Sequence, residues 1–349
     1  MEFLNKRMPY PLIYNMFANA NTNKTTSNTT GNDLSDEMKT YYSDHLIDLA
    51  EPELIHDQFA DKYPIPRRGG KTIEFRKFTP LGKAMTPLTE GVTPDGQKLD
   101  VDTITATVSQ YGGYVETTDV LDLTAIDPIV VQATQMIASQ AGRTLDTITR
   151  EVLAGGTNVI YAPAGSTKVE SRSAVSATCK ITLDVLRKAA LVLKRQNAPK
   201  IDGSYVAIVH PDIAHDIMGL DGWIDVHKYA TPENIYNGEL GKIAGIRFIE
   251  NTEAKIWKNA GAAKSGGDGT KENVYGTLVM GAHAYAVTEV TGGGLQHIVK
   301  QLGSAGTADP LNQRATVGWK AIKTAEILVD QYIVRIESAA SEGDTAIAN

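Results

Sequence analysis

The chain has 349 residues, a formal net charge of -7 and a single cysteine. Its composition, with 42% hydrophobic and 21% charged residues, is typical of a globular protein, and its length favours about two lobes. The acidic balance disfavours tight binding to nucleic acid. Because Cys179 has no second cysteine to pair with, we expect a buried, inert thiol and folding in the cytosol.

The N-terminal part contains an apolar stretch and then a polar one. Met8–Phe17 resembles a short signal peptide, but Pro9 and Pro11 interrupt it, so cytoplasmic synthesis is favoured over secretion. Residues 19–36 are rich in Asn and Thr and have almost nothing to bury, which predicts an arm that is mobile in the isolated subunit. No segment approaches the ~20 apolar residues of a membrane helix, so no membrane contact is predicted.

Residues 71–118 are predicted to form a long projecting hairpin, after one or two short helices within residues 38–59. Apolar residues alternate with polar ones around Ile73 and again around Ile104, the period of a β-strand. The segment between the strands has many helix-breaking residues, which predicts an irregular tip: Pro80, Gly82, Pro87, Gly91, Pro94 and Asp95-Gly96.

This hairpin is the predicted contact between copies of the chain. A two-stranded ribbon buries too little surface to be stable alone, and its tip carries apolar residues of its own. We therefore expect another copy of the chain to cover it. The residues predicted to make this contact are Phe75, Arg76, Lys77, Phe78, Leu81, Met85, Leu88 and Val92.

A long helix is predicted from Asp127 to about Ala154. Asp127-Pro128 is a favourable helix start, and Gly155-Gly156 ends the pattern. The helix would be roughly 40 Å long at 1.5 Å per residue, long enough to act as a spine. Its apolar stripe is predicted to comprise Val130, Thr134, Ile137, Ala141, Leu145, Ile148 and Val152.

Residues 161–293 are predicted to form a second, α+β lobe. Its predicted elements are helices at 182–196 and 212–218, strands at 205–209, 243–249 and 274–290, and a surface loop at 258–273. Strand-like alternation returns at Val317–Ala321 and Tyr332–Ile336, and residues 341–349 are predicted to be a frayed tail.

The sequence contains no recognisable catalytic, cofactor-binding or metal-binding constellation, so neither an enzyme nor a bound cofactor is predicted. His210 and His215 are five residues apart, whereas two zinc ligands on one helix face are four apart, and Asp212 is expected to support the helix start instead. No nucleophile elbow or phosphate-binding glycine loop is present. The glycine pairs are interpreted as ends of structural elements.

A locally basic stretch lies at the base of the hairpin, with Arg67, Arg68, Lys71, Arg76, Lys77 and Lys83. It could contact phosphate or the acidic surface of a neighbouring copy. It could equally be a solvated ribbon face, since charges on exposed strands oppose aggregation. A neighbour contact or solvation is favoured over DNA binding.

Three runs of residues resemble the N-four-type major capsid protein family of tailed phages. They are Gln110-Tyr111-Gly112-Gly113-Tyr114-Val115-Glu116-Thr117-Thr118-Asp119-Val120-Leu121-Asp122, Gln140-Ala141-Gly142-Arg143-Thr144-Leu145-Asp146-Thr147-Ile148 and Gly156-Thr157-Asn158-Val159. The order of arm, hairpin, spine helix, second lobe and returning strands is similar to the Hong Kong 97-type capsid fold. The resemblance is strongest over residues 41–162 and 315–336.

The resemblance implies a domain division. Residues 1–69 would be the N-terminal arm with short helices, 70–118 the extended loop lying over an adjacent subunit, and 119–160 the peripheral domain with its spine helix. Residues 161–293 would be the axial domain, and 294–349 the returning peripheral strands and tail.

The same resemblance implies an assembly. The chain would form pentamers and hexamers in a virion shell that is assembled in the host bacterial cytoplasm, and its arm would clasp neighbouring subunits. Scaffolding, portal and decoration proteins are possible partners, and the shell would enclose DNA without sequence-specific binding. Two alternatives stay open: an encapsulin-like bacterial compartment shell, which would hold a cargo enzyme, and a metal-dependent enzyme built around His210 and His215.

Overall fold

The structure is a computed structural model that describes residues 55–79, 81–93, 95–124, 129–220, 241–264, 269–291, 293–300, 304 and 309–342. The predicted arm, the helix start at Asp127-Pro128 and most of the frayed tail lie outside these residues. The chain divides into two units. Among the described residues, the larger unit is built from residues within 55–111, 139–296 and 320–342, and the smaller from residues within 112–138 and 297–319.

Strands and helices follow one another in a mixed order. The first part contains β1 (Asp61–Lys62), β2 (Thr72–Phe78), β3 (Val101–Thr107), β4 (Ser109–Thr118), α1 (Asp119–Thr124), α2 (Ile129–Ala154), β5 (Val159–Tyr161), α3 (Leu183–Arg195), β6 (Tyr205–Val209) and α4 (Pro211–Met218). The second contains β7 (Lys242–Ile243), β8 (Ile246–Glu250), β9 (Ile256–Trp257), β10 (Val274–Met280), β11 (Tyr285–Glu289), β12 (Gln296–Lys300), β13 (Arg314–Ile327) and β14 (Ile333–Ser338).

The core of the larger unit is a seven-stranded sheet with the order β5-β14-β10-β6-β8-β7, and β9 also pairs with β10. Every residue of β6, β10 and β14 is buried. Successive side chains of a strand point to opposite faces, so Tyr205 and Val209 pack with α3 and α4 on one face while Val206 and Ile208 pack with Leu153 on the other. Burial on both faces explains why these strands are continuous apolar runs.

Two helices cover one face of this sheet, and both were predicted from their apolar spacing. In α3, Leu186, Ala190 and Leu193 are buried, as predicted, and the Thr182 side chain caps the helix by accepting from the Val185 N–H. In α4, Pro211 occupies the first turn and His210 is the N-cap. The helix predicted over residues 212–218 is therefore confirmed, with a different capping residue from the expected Asp212.

The long helix is confirmed over the residues that the structure describes, and its C-terminal end at Ala154 agrees with the prediction. Its predicted stripe is only partly correct. Ile137, Ala141 and Leu145 are buried, but towards the C-terminal end Leu153 is fully buried while Ile148 and Val152 are only partly so. The buried face there also takes in polar residues, namely Asp146, Thr149 and Arg150, which a search for apolar residues alone passes over.

Strand β13 is shared by both units. In the larger unit its C-terminal half pairs antiparallel with β11, from Tyr285 opposite Ile327 to Glu289 opposite Lys323, and β11 pairs in parallel with β1. In the smaller unit β13 pairs with β4, where the Asp119 N–H donates to the Gln313 carbonyl at 2.9 Å. β12 also pairs with β13.

The strand predictions need three corrections. The predicted hairpin extends to residue 118, but its paired strands end at Thr107, and β4 joins β13 instead. The strand predicted over 243–249 is two strands, since Ala244 and Gly245 form a turn with φ of 53° and 84°. The strand predicted over 274–290 is β10 and β11, separated by a turn at His283. These turns were missed because the apolar pattern continues through them, and the spacing of apolar residues does not mark a tight reversal of the chain.

Candidate assembly interface

The hairpin forms a sheet of its own. Strands β2 and β3 pair antiparallel over their full length, from Thr72 opposite Thr107 to Phe78 opposite Val101. Within the described part of the chain no third strand joins them. Isolated two-stranded ribbons are marginally stable in water, so the stability of this one depends on what covers it.

The base of the hairpin is held by its own unit. The rings of Tyr63 and Phe75 meet edge to face with their centroids 5.3 Å apart. On β3 and just beyond it, Ala106 and Val108 are buried. The Val108 N–H donates to the Lys71 carbonyl at 2.9 Å, which extends the ladder towards the body of the unit. The base is therefore anchored, and the tip is the part left without cover.

A groove of about 480 Å³ separates the inner face of the ribbon from the rest of the larger unit. The ribbon contributes Ile73, Glu74, Phe75, Arg76, Lys77 and Ile104, and the opposite wall is made by Asp61, Tyr63, His283, Leu328 and Val329. On that wall, Nδ1 of His283 lies 2.8 Å from Oδ2 of Asp61. The inner face of the ribbon is thus only partly packed against its own unit.

From the end of the paired strands outward, the hairpin exposes large apolar side chains. Met85 is 80% exposed and Leu88 77%, and Phe78, Leu81 and Val92 are each more than half exposed. No helix or strand is present in the described residues between Phe78 and Val101. Burying such side chains would contribute about 1.5–3 kcal/mol each. Covering the tip with another protein surface would therefore contribute favourable free energy to association.

The structure assigns the eight predicted contact residues to two positions. Phe75 is half-buried at the base, against Tyr63, and the other seven are exposed. Among these, Lys77 lies opposite Asp102 of β3, and Arg76 lies opposite Thr103. The remaining members of the basic stretch, Arg67, Arg68, Lys71 and Lys83, are also exposed. Whether these residues touch a neighbouring copy stays a prediction.

A second group of exposed apolar residues, in the smaller unit, was not predicted from the sequence. Helix α1 exposes Val120 and Leu123, and α2 exposes Met136. Tyr114 of β4 and Leu311 are also exposed. A signal was available in Asp119-Val-Leu-Asp-Leu-Thr124, since two apolar residues three apart in a short polar segment are typical of one helix face.

The larger unit also buries a polar junction that links three parts of the chain. The backbone N–H of His56 donates to Oδ1 of Asp146 at 2.9 Å, and Nδ1 of the His56 ring lies 2.7 Å from Oδ2. Asn251 donates to the same Oδ2 at 3.1 Å. Burial works to raise the pKa of Asp146, but its interactions with His56 and Asn251 hold that pKa below the ordinary value.

A buried cation completes this junction. Nζ of Lys323, on β13, donates to the Leu145 carbonyl at 3.0 Å and forms an ion pair with Asp57. Asp57 in turn accepts from the Thr149 hydroxyl at 2.6 Å. These contacts fasten residues 55–60 to α2 and β13, directly before β1 and the hairpin. The sequence signal was weak, because single polar residues within apolar patterns resemble a solvated face.

The two histidines considered as metal ligands lie in different environments. Nδ1 of His210 accepts from the Asp212 N–H at 3.2 Å, capping α4, and burial lowers the pKa of His210. His215 is exposed on the same helix. Among the described residues, no group of three His, Cys, Asp or Glu side chains is arranged to hold a metal ion. Cys179 is buried, as expected.

Within the described ranges, no helix combines the length and the apolar character that a membrane crossing requires.

Comparison with known proteins identifies the class to which this architecture belongs. Residues 101–331 match the model of a family described as phage capsid protein. A curated relative, the major capsid protein of Pseudomonas phage KPP21, is 23% identical over 344 residues, covering 80% of this chain and 85% of the relative.

Solved capsid structures have the same fold. The capsid of Ralstonia phage GP4 matches with a TM-score of 0.66 at 15% identity, covering 90% of this chain and 98% of the other. The capsid of cyanophage P-SCSP1u matches with a TM-score of 0.65 at 14% identity, covering 91% and 98%. The mature capsid of bacteriophage PhiM1 matches at 0.60 and 13% identity, covering 86% and 91%.

The chain belongs to the phage capsid protein family, since the family model spans well over half of it. Its fold is the Hong Kong 97-type capsid fold, as predicted. It is therefore a structural protein of a phage capsid. The matched family and the curated relative are both described as phage capsid proteins, which favours a phage shell over the encapsulin-like alternative.

Proposed function

We propose that the chain is the major capsid protein that self-assembles into the icosahedral head shell of a tailed bacteriophage and encloses double-stranded DNA. The observation that carries this proposal is the hairpin, which is anchored at its base but exposes a row of large apolar side chains at its tip. Exposed patches of this kind mark protein–protein interfaces. In a family of capsid proteins, the natural partner is another copy of the chain.

The distribution of exposed apolar side chains supports contact between unlike surfaces. Among the described residues, most large exposed apolar side chains fall either on the hairpin between Phe78 and Val101 or in the smaller unit. A head-to-tail contact, in which the hairpin of one copy covers the smaller unit of the next, would bury both groups at once. Such heterologous contacts close into rings when the rotation allows it.

The domain roles follow from the same proposal. Residues 119–160 and 294–349 would form the peripheral domain, residues 161–293 the axial domain that meets its copies in pentamers and hexamers, and residues 1–69 an arm that clasps neighbouring subunits. The chain would catalyse no reaction, because its function is distributed over interfaces.

The net charge of -7 suits a shell that contains DNA without binding it tightly. Assembly would take place in the host cytoplasm, with scaffolding, portal and decoration proteins as further partners. The mature shell would be part of the virion.

Shortening the hairpin tests the proposal. Replacing residues 80–98 by a short Gly-Ser turn removes side chains that are exposed at every described position of this segment, so the subunit is expected to fold while closed shells fail to form. Circular dichroism checks folding and negative-stain electron microscopy checks assembly. Thr89→Ser is the matched control, since it keeps the length and the apolar side chains of the exposed tip, and this variant should still assemble. Normal shells from the shortened protein would refute the proposed role of the hairpin.

A further inference from the structure

Among the described residues, no strand pairs with the edge of β2 that faces away from β3. The Val108 N–H donates to the Lys71 carbonyl, and the Thr79 N–H donates to the Asp100 carbonyl. Backbone bonds alternate along an antiparallel pair, so the odd-numbered residues of β2 bond to β3 and the even-numbered residues point their N–H and C=O groups away from it. Glu74 and Arg76 therefore present backbone donors and acceptors along an edge that no described strand covers.

The side chains along this edge have a self-complementary order. Glu74 and Arg76 flank Phe75, and both are exposed and form no ion pair with another described residue. If a second copy of β2 pairs antiparallel with the register centred on Phe75, then Glu74 of each copy lies opposite Arg76 of the other. The even-numbered residues, whose backbone groups are open, are the ones that bond across this register.

Other registers are disfavoured by charge. Sliding the second strand by two residues in one direction places Glu74 opposite Glu74, and sliding it in the other direction places Arg76 opposite Arg76. Like charges directly opposite in a sheet are destabilising. A slip of one residue would turn the partner's side chains to the wrong face. Charges usually protect an edge strand from pairing, but here their order permits one register.

From this we propose that β2 pairs with β2 of a second copy, antiparallel and about a two-fold axis at Phe75. The two ribbons would form a four-stranded sheet with the order β3-β2-β2-β3, and the two Phe75 side chains would face each other at its centre. The inference rests on the proposed function, because it requires copies of the chain to meet, and it specifies one contact between them. A sheet of this size is stable where a two-stranded ribbon is marginal.

Disulfide trapping tests the register. Phe75 would form a non-hydrogen-bonded pair with its copy, with Cα atoms about 4.5 Å apart, which a disulfide can bridge. Full-length Phe75→Cys should give a covalent dimer under mild oxidation. Ile73→Cys is the matched control on the same strand and face, since four residues, or ~13 Å, would separate Ile73 from its copy. The native Cys179 is buried in both variants.

Charge exchange tests the specificity. In the Phe75→Cys background, Glu74→Arg or Arg76→Glu alone would set like charges opposite each other twice and should lower the dimer yield, with a weakening of about tenfold in the association constant. The double exchange, Glu74→Arg with Arg76→Glu, restores opposite charges and should restore the yield. Equal yields from Phe75→Cys and Ile73→Cys, or no recovery in the double variant, would overturn the inference.

Electron microscopy of the same preparations separates this inference from the proposed function. Closed shells without the Phe75 cross-link would support the proposed function and rule out the β2 pairing. Register-specific dimers without closed shells would support the β2 pairing and contradict the proposed function.

Discussion

The hairpin and the polar junction near α2 depart from the usual distribution of side chains in opposite ways. The hairpin exposes large apolar residues such as Met85 and Leu88, whereas the junction buries charged ones such as Asp146 and Lys323. The buried charged groups of the junction find their partners within the chain, through hydrogen bonds and an ion pair. The apolar side chains of the hairpin tip are left exposed by the chain itself, and we propose that a second copy covers them. Substitutions in the junction should therefore alter folding, and those in the hairpin should alter assembly.

The largest effect on folding is expected for Lys323→Met. Removing the buried ammonium leaves Asp57 without its cation and removes a second donor from the Leu145 carbonyl, and breaking a buried pair in this way costs about 3 kcal/mol or more. Urea unfolding of unassembled subunits measures the change. Lys320→Met, at an exposed position of the same strand, should change the free energy of unfolding by less than about 0.5 kcal/mol. Equal losses in the two variants would show that Lys323 is not a structural cation.

A smaller, pH-dependent effect is expected at Asp146. Its pKa in the folded protein lies below the ordinary value of 3.8, so its ionised form stabilises the fold. That contribution is complete at pH values above about 4 and is lost as the pH falls through the lowered pKa. The free energy of unfolding should fall with acidification in this range, and Asp146→Asn should flatten that part of the profile.

The matched comparison for Asp146 is Asp102→Asn on the ribbon, where the carboxylate is exposed, so the free energy of unfolding at neutral pH should change by no more than about 0.5 kcal/mol. Identical acid profiles for Asp146→Asn and the unmodified protein would contradict a stabilising role for the buried carboxylate.

The smallest effect on folding is expected at the hairpin tip. Leu88→Ser removes an apolar side chain that is 77% exposed in the subunit, so the free energy of unfolding should change by no more than about 0.5 kcal/mol. The protein concentration needed for assembly should rise, as light scattering would show. Thr89→Ser, one residue further on, is the conservative control for assembly. A loss of stability above about 2 kcal/mol in Leu88→Ser would mean that the tip packs within its own subunit.

Regular elements were predictable where one physical signal dominates. The alternation in β2 and β3 and the stripes of α3 and α4 arise from burial on a single face, and their bounds agree with the structure to within a residue or two. The exposed tip was predictable for a related reason, since its prolines and glycines exclude regular structure while its apolar residues persist. The same reasoning predicts that another copy of the chain covers the tip, and that contact stays a prediction.

Other features could not be read along the chain because they depend on residues far apart in it. Asp146 meets His56 and Asn251 across separations of 90 and 105 residues, and no local pattern marks such a meeting. The end of the hairpin was mistaken for the same reason. Ser109–Thr118 continues the alternation of β3, but it pairs with a strand about 200 residues later.

The sequence by itself determined the local elements, the breaker-rich tip and the absence of a recognisable catalytic motif, because backbone preference and one-sided burial act over a few neighbouring residues. Only the tertiary structure decided which strands pair, which charges are buried and which edge of the ribbon stays open. Those outcomes depend on long-range contacts whose energies arise only when distant segments meet. The open edge of β2, with Glu74 and Arg76 on either side of Phe75, became visible only once the pairing of the ribbon was known.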